Sequence, residues 1–386
     1  MRIFILPTSY PSNEYPHKNI FIYEQAKQLA KMGHEIIVLH IEKLPTRSIF
    51  QKVSRNIEVF RNDFSVRYVR KQKTFMEARF PVIGRDVFIE NAIELYKYAV
   101  AKHGKPDVVY AHFSQWAGYT GTILSEKYNV PLVTIEHYSG LMKNKVSNSL
   151  LEGVKRTIEK SEYFLCVSEN LKKNILDKTK IQKDIYVITN MIDSSFKYFS
   201  KLVHDGFVFS AIGRLTAQKD YRTLIRAFDK AFDRDEMVQL RIAGDGEDRT
   251  YLEKLVKQLG REKQIIFLGS LTRAQTIEEY KLCDCFALSS SYETFGLVYR
   301  EALAVGRPII TTDHGGFSEE DWHNEYGYKV PVGDVDEFAK AMKKIVLDNN
   351  KFDGQMISEL CLSDCSADVI GSKIEYILQK AIGNEK

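Results

Sequence analysis

The sequence predicts an α/β protein built from two doubly wound parallel sheets. Three observations carry that prediction. Short, nearly continuous apolar runs alternate with segments of helical period along all 386 residues, the pattern of parallel strands covered by helices on both faces. The alternation restarts after a stretch without clear period near Asp193–Gly206. The chain is also long for one domain and comfortable for two.

Taken in order, the strand-like runs of the first half are Arg2–Leu6, Glu35–Ile41, Asp107–His112, Pro131–His137, Tyr163–Ser168 and Ile185–Thr189. Between the first two, Ile22, Ala26, Leu29 and Ala30 mark one helical face, closed by Gly33 as a C-cap. The second half has Phe207–Ile212, Val238–Ala243, Ile265–Leu268, Cys285–Ser289 and Pro308–Thr312. A last helical segment, Ser366–Ile382, sets Ile370, Ile374, Ile377 and Ala381 on one face. The expected division is residues 1–198, residues 199–365, and a C-terminal helix within 366–386.

Composition excludes several classes. With 44% hydrophobic and 27% charged residues the chain can bury a sizeable core. The apolar run after Met1 is too short for a signal peptide and ends at Pro7. No run approaches the ~18 apolar residues of a spanning helix. Five cysteines without paired CxxC spacing form neither a disulfide framework nor a zinc motif. A reducing, cytoplasmic location is expected. The net charge of +4 is unevenly spread: residues 1–200 hold 30 Lys and Arg against 20 Asp and Glu, the remainder 25 against 31. Opposite signs suggest two domains with different partners.

Ligands of open α/β sheets bind beyond the carboxyl ends of the strands, so the residues following each apolar run matter most. Gly213-Arg-Leu-Thr-Ala-Gln-Lys219 follows one run, Gly244-Asp-Gly246 the next, Gly269-Ser-Leu271 the third and Ser290-Ser-Tyr-Glu293 the fourth. Gly213 lets the backbone turn close to a ligand. Arg214 offers a planar fork for phosphate oxygens and Lys219 a mobile point charge; away from a strand end the pair would read as solvated surface charge. Gly244-x-Gly246 is half of a dinucleotide fingerprint, but it does not follow the first strand of the chain. A helix starting near Gly296 or Leu297 would aim free backbone N–H groups at an anion. Glu293, in the loop before it, could accept from sugar hydroxyls, and Glu301, within it, from a ribose diol. Their bland alternatives are a dipole partner and a surface residue.

Together, Gly213-Arg-x4-Lys219, Gly244-x-Gly246 and Glu293-x7-Glu301 around Phe295-Gly-Leu resemble the retaining glycosyltransferases of family 4, which have the GT-B fold. "QAKQLAKMGHEIIVL", "PDVVYAHFSQWAG", "VPLVTIEHYSG", "FLCVSENLKK" and "VITNMID" are similar to segments of the same family. The resemblance implies two Rossmann-like domains facing across a cleft, with the C-terminal helix returning to the first. It implies that Arg214 and Lys219 hold a donor diphosphate with the N–H groups of Gly296 and Leu297. Gly213, Gly244, Gly246, Leu271 and Phe295 would complete the donor site, with Glu301 on the ribose and Glu293 on the donor sugar. His137 matches a histidine facing the reacting sugar from the acceptor side; a core histidine is the alternative. His112 would support its loop. No cofactor or metal is implied, because fixed cations replace the ion, and the sequence has no Asp-x-Asp triplet.

The first loop, "PTSYPSNEYPHKNIFIYEQ", departs from the family's paired glycines. Asn19, which tolerates a left-handed conformation and caps helices, is the expected substitute. This loop resembles a branch associated with extracellular and cell-wall polysaccharide assembly. The expected activity is transfer of a hexosyl or N-acetylhexosaminyl group from a UDP-linked sugar to a glycan or lipid-linked acceptor. A nucleotide-sugar 2-epimerase and a nucleotide-sugar sensor without turnover are the rival readings. Residues 67–88 interleave Arg67, Arg70, Lys71, Lys73, Arg79 and Arg85 with Tyr68, Phe75, Phe80 and Phe88. Cations among exposed aromatics would suit an anionic membrane surface, on the inner face of the cell membrane. Nucleic acid is not expected.

Overall fold

Each apolar run of the first half finds its place in an eight-stranded sheet. A computed structural model describes residues 1–12, 18–44, 56–73, 81–143, 145–234, 236–317 and 322–383. The chain divides into two units, Met1–Met191 with Ala367–Lys386, and Ile192–Ser366. The strands of the first are β1 (Arg2–Pro7), β2 (Glu35–Leu44), β3 (Glu58–Arg61), β4 (Ser65–Lys73), β5 (Val108–His112), β6 (Leu132–Glu136), β7 (Tyr163–Cys166) and β8 (Tyr186–Val187). They lie in the order β3-β4-β2-β1-β5-β6-β7-β8, with β3 antiparallel to β4 and every other pair parallel. Helices α1 (Ile20–Lys31), α2 (Pro81–His103), α3 (Tyr119–Tyr128), α4 (Asn148–Lys160) and α5 (Glu169–Thr179) belong to this unit. β5 and β6 are buried along their whole length, which is why they read as unbroken apolar runs.

Residues 67–88 depart from expectation. Ser65–Lys73 is a strand that pairs with β2 over nine positions, Ile36 opposite Ser65 to Leu44 opposite Lys73. Tyr68 and, on α2, Phe88 are buried in the core with Phe4 and Leu95. Arg70 pairs with Glu94, and Lys71 Nζ lies 2.7 Å from Glu58. These long cations lie along the sheet and keep their charge paired. Tyr68 and Phe88 are therefore core residues and not exposed membrane anchors; Phe75, Arg79 and Phe80 lie outside the described residues.

In the second unit β9 (Phe207–Ile212), β10 (Val238–Ala243), β11 (Ile265–Gly269), β12 (Cys285–Leu288), β13 (Ile309–Thr312) and β14 (Gly327–Val330) form one parallel sheet in the order β11-β10-β9-β12-β13-β14. Its helices are α6 (Tyr221–Ala231), α7 (Arg249–Leu259), α8 (Arg273–Leu282), α9 (Leu297–Ala304), α10 (Val335–Leu347) and α11 (Gly354–Cys365). The boundary falls after Met191 and not at 198, because Ile192 and Phe196 are buried in this unit. Ile192 N–H donates to the Cys365 carbonyl at 2.8 Å, and the Phe196 ring meets Tyr280 edge-on.

The chain then re-enters the first unit as α12 (Ala367–Ala381), which packs on α1. Ile370, Ile374 and Leu378 are buried there, Gln28 Nε2 donates to Asp368 at 2.9 Å, and His34 meets Glu375 at 2.8 Å. Each sheet has one point where the strand order reverses, between β1 and β5 and between β9 and β12. Crevices open beyond the strand ends at such points. Among the described residues no helix is long and apolar enough to cross a membrane.

Candidate active site

The ends of β9, β10 and β12 in the second unit bring most of the predicted donor residues together. After β9 the backbone turns at Gly213, whose N–H donates to the Ala243 carbonyl at 3.0 Å and whose own carbonyl accepts from the Tyr221 hydroxyl at 3.1 Å. Arg214 follows and is exposed, while Leu215 is buried. Gly244 and Gly246 lie against this loop so closely that no side chain fits. A Cβ on Gly244 (φ +134) would stand 1.9 Å from the Gly213 oxygen, and one on Gly246 2.3 Å from the Leu215 oxygen. The loop closes at Asp220, which caps α6 by accepting from Thr223.

The loop after β12 is tied to the same turn: Ser291 N–H donates to the Gln218 carbonyl at 2.8 Å, and Gln218 Nε2 to the Tyr292 carbonyl at 2.9 Å. The tie places Lys219 Nζ 2.5 Å from Glu293 Oε1, with both side chains largely buried. So the predicted cation and carboxylate form one ion pair at the β9/β12 reversal. Beyond Glu293, Phe295 is buried and Gly296 caps α9 in a left-handed conformation (φ 77, ψ 56). The N–H groups of Gly296 and Leu297 start that helix without intrahelical acceptors.

Glu301, on α9, stands apart from the pair. Tyr280 Oη is 3.4 Å from Glu301 Oε2. Burial raises the Glu301 pKa to about 7, opposed most by the nearby Arg273 guanidinium, although the residue keeps an accessible edge. Arg273 in turn meets Asp193 at 3.3 Å. The Leu271 side chain is not drawn into this cluster. It lines an apolar groove of about 750 Å³ with Phe199, Leu202 and Leu268.

In the first unit the predicted residues gather at the β1/β5 reversal. Asn19 is left-handed (φ 52, ψ 41), but its side chain does not cap α1; it donates to Ser9 Oγ at 2.6 Å. The His112 carbonyl holds the first loop by accepting from Thr8 N–H at 3.3 Å. The His112 ring does more than support that loop. It lies parallel to His137, centroids 5.5 Å apart, with Nδ1 of His112 3.3 Å from Nε2 of His137. Burial lowers the His137 pKa to about 3, partly offset by Asn190. Burial, then the neighbouring His137, holds His112 well below the usual range. Both rings are neutral. Buried Glu136 fixes the turn by accepting from the N–H groups of Ser114, His137 and Tyr138 at 2.8–2.9 Å. Phe21 and Phe113 wall the His137 ring at 4.4 and 5.2 Å. Phe113 has φ +73, a strained conformation for an aromatic residue of the kind found at functional sites.

The family models described as Glycosyltransferase Family 4 and Glycosyl transferases group 1 match residues 19–196 and 195–359. The chain belongs to glycosyltransferase family 4. The N-acetyl-alpha-D-glucosaminyl L-malate synthase of Bacillus anthracis is 26% identical to this glycosyltransferase over the whole chain and 99% of its own length. An uncharacterized glycosyltransferase of Methanocaldococcus jannaschii is 37% identical, over only 36% of this chain and 35% of its own. The sucrose-phosphate synthase of Thermosynechococcus elongatus superposes at a TM-score of 0.79 with 17% identity over all of both chains. HepE of Anabaena, solved in complex with UDP-glucose, gives 0.71 at 18% identity over 98% of this chain and 99% of its own. The glycosyltransferase thus has the GT-B fold.

Sequence reasoning missed two residues beside the Lys219–Glu293 cluster. His314, buried after β13, accepts at Nδ1 from the Gly316 N–H at 2.9 Å, so its proton sits on Nε2, which has no partner among the described residues. Burial lowers its pKa to about 4. The ring packs 4.9 Å from Tyr299, and a Cβ on Gly316 would touch both His314 and Glu293. Arg300 is sandwiched between the rings of Phe295 and Phe317 at 4.2 and 4.3 Å. The Asp-His-Gly-Gly-Phe stretch that carries His314 reads as an ordinary polar turn. Only its place after an apolar strand could have drawn attention to it.

Proposed function

We propose that this glycosyltransferase moves a hexosyl or N-acetylhexosaminyl group from a UDP-linked sugar to a hydroxyl of a glycan or lipid-linked acceptor, with retention at the anomeric carbon, in surface polysaccharide or cell-wall polymer assembly. The Lys219–Glu293 pair beside the α9 N-terminus carries the proposal. A paired cation can turn to a diphosphate while its carboxylate accepts from sugar hydroxyls, so charge developing on the leaving group meets fixed donors. Arg214, exposed and with no side-chain partner among the described residues, adds a phosphate fork. Gly213, Gly244 and Gly246 bring backbone close, Phe295 flanks the donor loop, and Glu301 takes the ribose; Leu271, drawn into the apolar groove, is left outside this set. Asn19, His112 and His137 belong to the acceptor side, with neutral His137 a donor or acceptor toward the reacting sugar. The relative solved with UDP-glucose supports a UDP-linked donor. Of the segment 67–88 that would meet an anionic membrane, Tyr68 and Phe88 are buried in the core and supply no anchor.

The test is a donor screen that reads released nucleotide, with the anomeric configuration of the product followed by NMR. Label that appears in a new free nucleotide sugar and never in an acceptor would replace transfer by epimerisation. An inverted product would remove retention.

Two further expectations arise here. Activity should persist in a chelator, because Arg214, Lys219 and the helix terminus do an ion's work; complete loss in EDTA, restored by manganese, would contradict the assigned roles. The second concerns pH. Burial favours the protonated Glu301, so that contribution to stability is complete below the ordinary carboxylate range and is lost as pH rises through about 7. The form that accepts from a ribose diol is the carboxylate, so donor affinity runs the other way. Between pH 6 and 8 the ionised fraction rises about tenfold, and the donor KM should fall by a similar factor. Glu301→Gln should flatten that profile; an unchanged profile in the variant would detach Glu301 from the ribose.

A further inference from the structure

The first unit contains a recess that none of the predicted site residues lines. Its volume is about 360 Å³, and its walls come from the loop after β1, the start of α1 and the β3–β4 hairpin. Tyr10, Tyr23 and Phe60 supply ring surface, and Arg61 and Arg67 supply charge; among the described lining residues none is a carboxylate. Arg67 is held rigidly, 4.7 Å from the Phe60 ring centroid and 5.7 Å from that of Tyr10, while one of its N–H groups donates to the Pro11 carbonyl. Burial lowers its pKa, against weaker opposing contributions from Tyr10 and Glu42. Behind it, the Tyr10 hydroxyl and His40 Nδ1 are buried without a partner among the described residues. Unsatisfied polar groups of that kind call for an explanation, and one is a ligand site.

The recess and the histidine pair share the first turn of α1. Ile20 and Tyr23 line it, and Phe21, on the same first turn of α1, packs against His137. The ring faces suit the C–H side of a hydroxylated ring or polyol, and the arginine forks suit a carboxylate or phosphate. We infer that this recess binds an anionic group, carboxylate or phosphate, carried on a hydroxylated ring of the acceptor, an assignment that rests on reading the first unit as the acceptor side.

Binding measured without turnover tests this. The full chain, saturated with UDP to occupy the Arg214–Lys219 site, is titrated calorimetrically with glucuronate, glucose 6-phosphate and glucose. Either anionic probe should bind at least roughly tenfold more tightly than glucose, the worth of one charged contact. Arg67→Gln and Arg61→Gln should each remove most of that preference while UDP affinity stays unchanged. Arg61 is exposed, so its variant keeps the test decisive if Arg67→Gln folds poorly. Equal binding of the three probes, no binding of either anion, or a preference indifferent to Arg61→Gln overturns the inference. Failure of UDP to bind would instead count against the donor-site reading and leave the probe comparison to judge the recess.

Discussion

Lys219→Ala should lower kcat/KM for the donor by roughly ten- to a hundredfold, the equivalent of ~1.5–3 kcal/mol for one charged hydrogen bond in a sheltered site. Arg214→Ala should fall in the same range. The two variants should nonetheless differ in stability. Arg214 is exposed, so its loss leaves nothing stranded. Lys219 leaves Glu293 behind, a carboxylate with 9% of its side chain accessible and its ion partner gone. Removing one member of such a pair costs on the order of 3 kcal/mol. Lys219→Ala combined with Glu293→Gln should therefore recover much of the lost stability but none of the activity. Steady-state kinetics beside thermal unfolding of the two single variants and the double variant separate these effects. Wild-type kinetics in Lys219→Ala would withdraw the diphosphate role, and additive destabilisation would show that the ion pair is not the coupling element.

Gly244→Ala should be the most damaging of the small substitutions. Its φ of +134 is disfavoured for any L side chain, and the new methyl would sit 1.9 Å from the Gly213 carbonyl. Backbone must yield, and the backbone that yields carries Arg214. Strain and displacement together should cost on the order of 3 kcal/mol, with turnover falling further than stability because the loop moves before the sheet does. Gly153→Ala on α4 is the matched control. Its nearest neighbour would be Tyr119 at 4.0 Å, and alanine favours a helix interior by about 1 kcal/mol. Full activity in Gly244→Ala would mean that the two loops do not depend on each other.

How much of this was legible beforehand differs between fold and site. β9 and β10 coincide with the sequence reading, and β1, β11 and β12 lie within one residue of it, because buried parallel strands are apolar throughout. β4 escaped because its cations alternate with Tyr68 and Val69 and hide the pattern of a strand whose edge is covered by β3. β14, with glycine, tyrosine and lysine in four residues, is too short to show a period. At the site, residue types and spacing pointed to Arg214, Lys219, Glu293 and Glu301, but not to who meets whom. Lys219 and Glu293 are 74 positions apart and become partners only because the strand order puts β12 beside β9. The parallel stacking of His112 on His137 follows likewise from the pairing of β5 with β6.

The return of α12 to α1 has a consequence for the order in which the protein is made. The second unit is an insertion within the first, and its two ends are joined by the bridge of Ile192 to Ser366. It can therefore mature as a closed loop of chain while the first unit still waits for Ala367–Ala381. Until that helix emerges, the surface around Gln28 and Met32 against which Gly371 packs remains uncovered. A nascent chain halted at 366 would carry a complete second unit and a first unit with one face open.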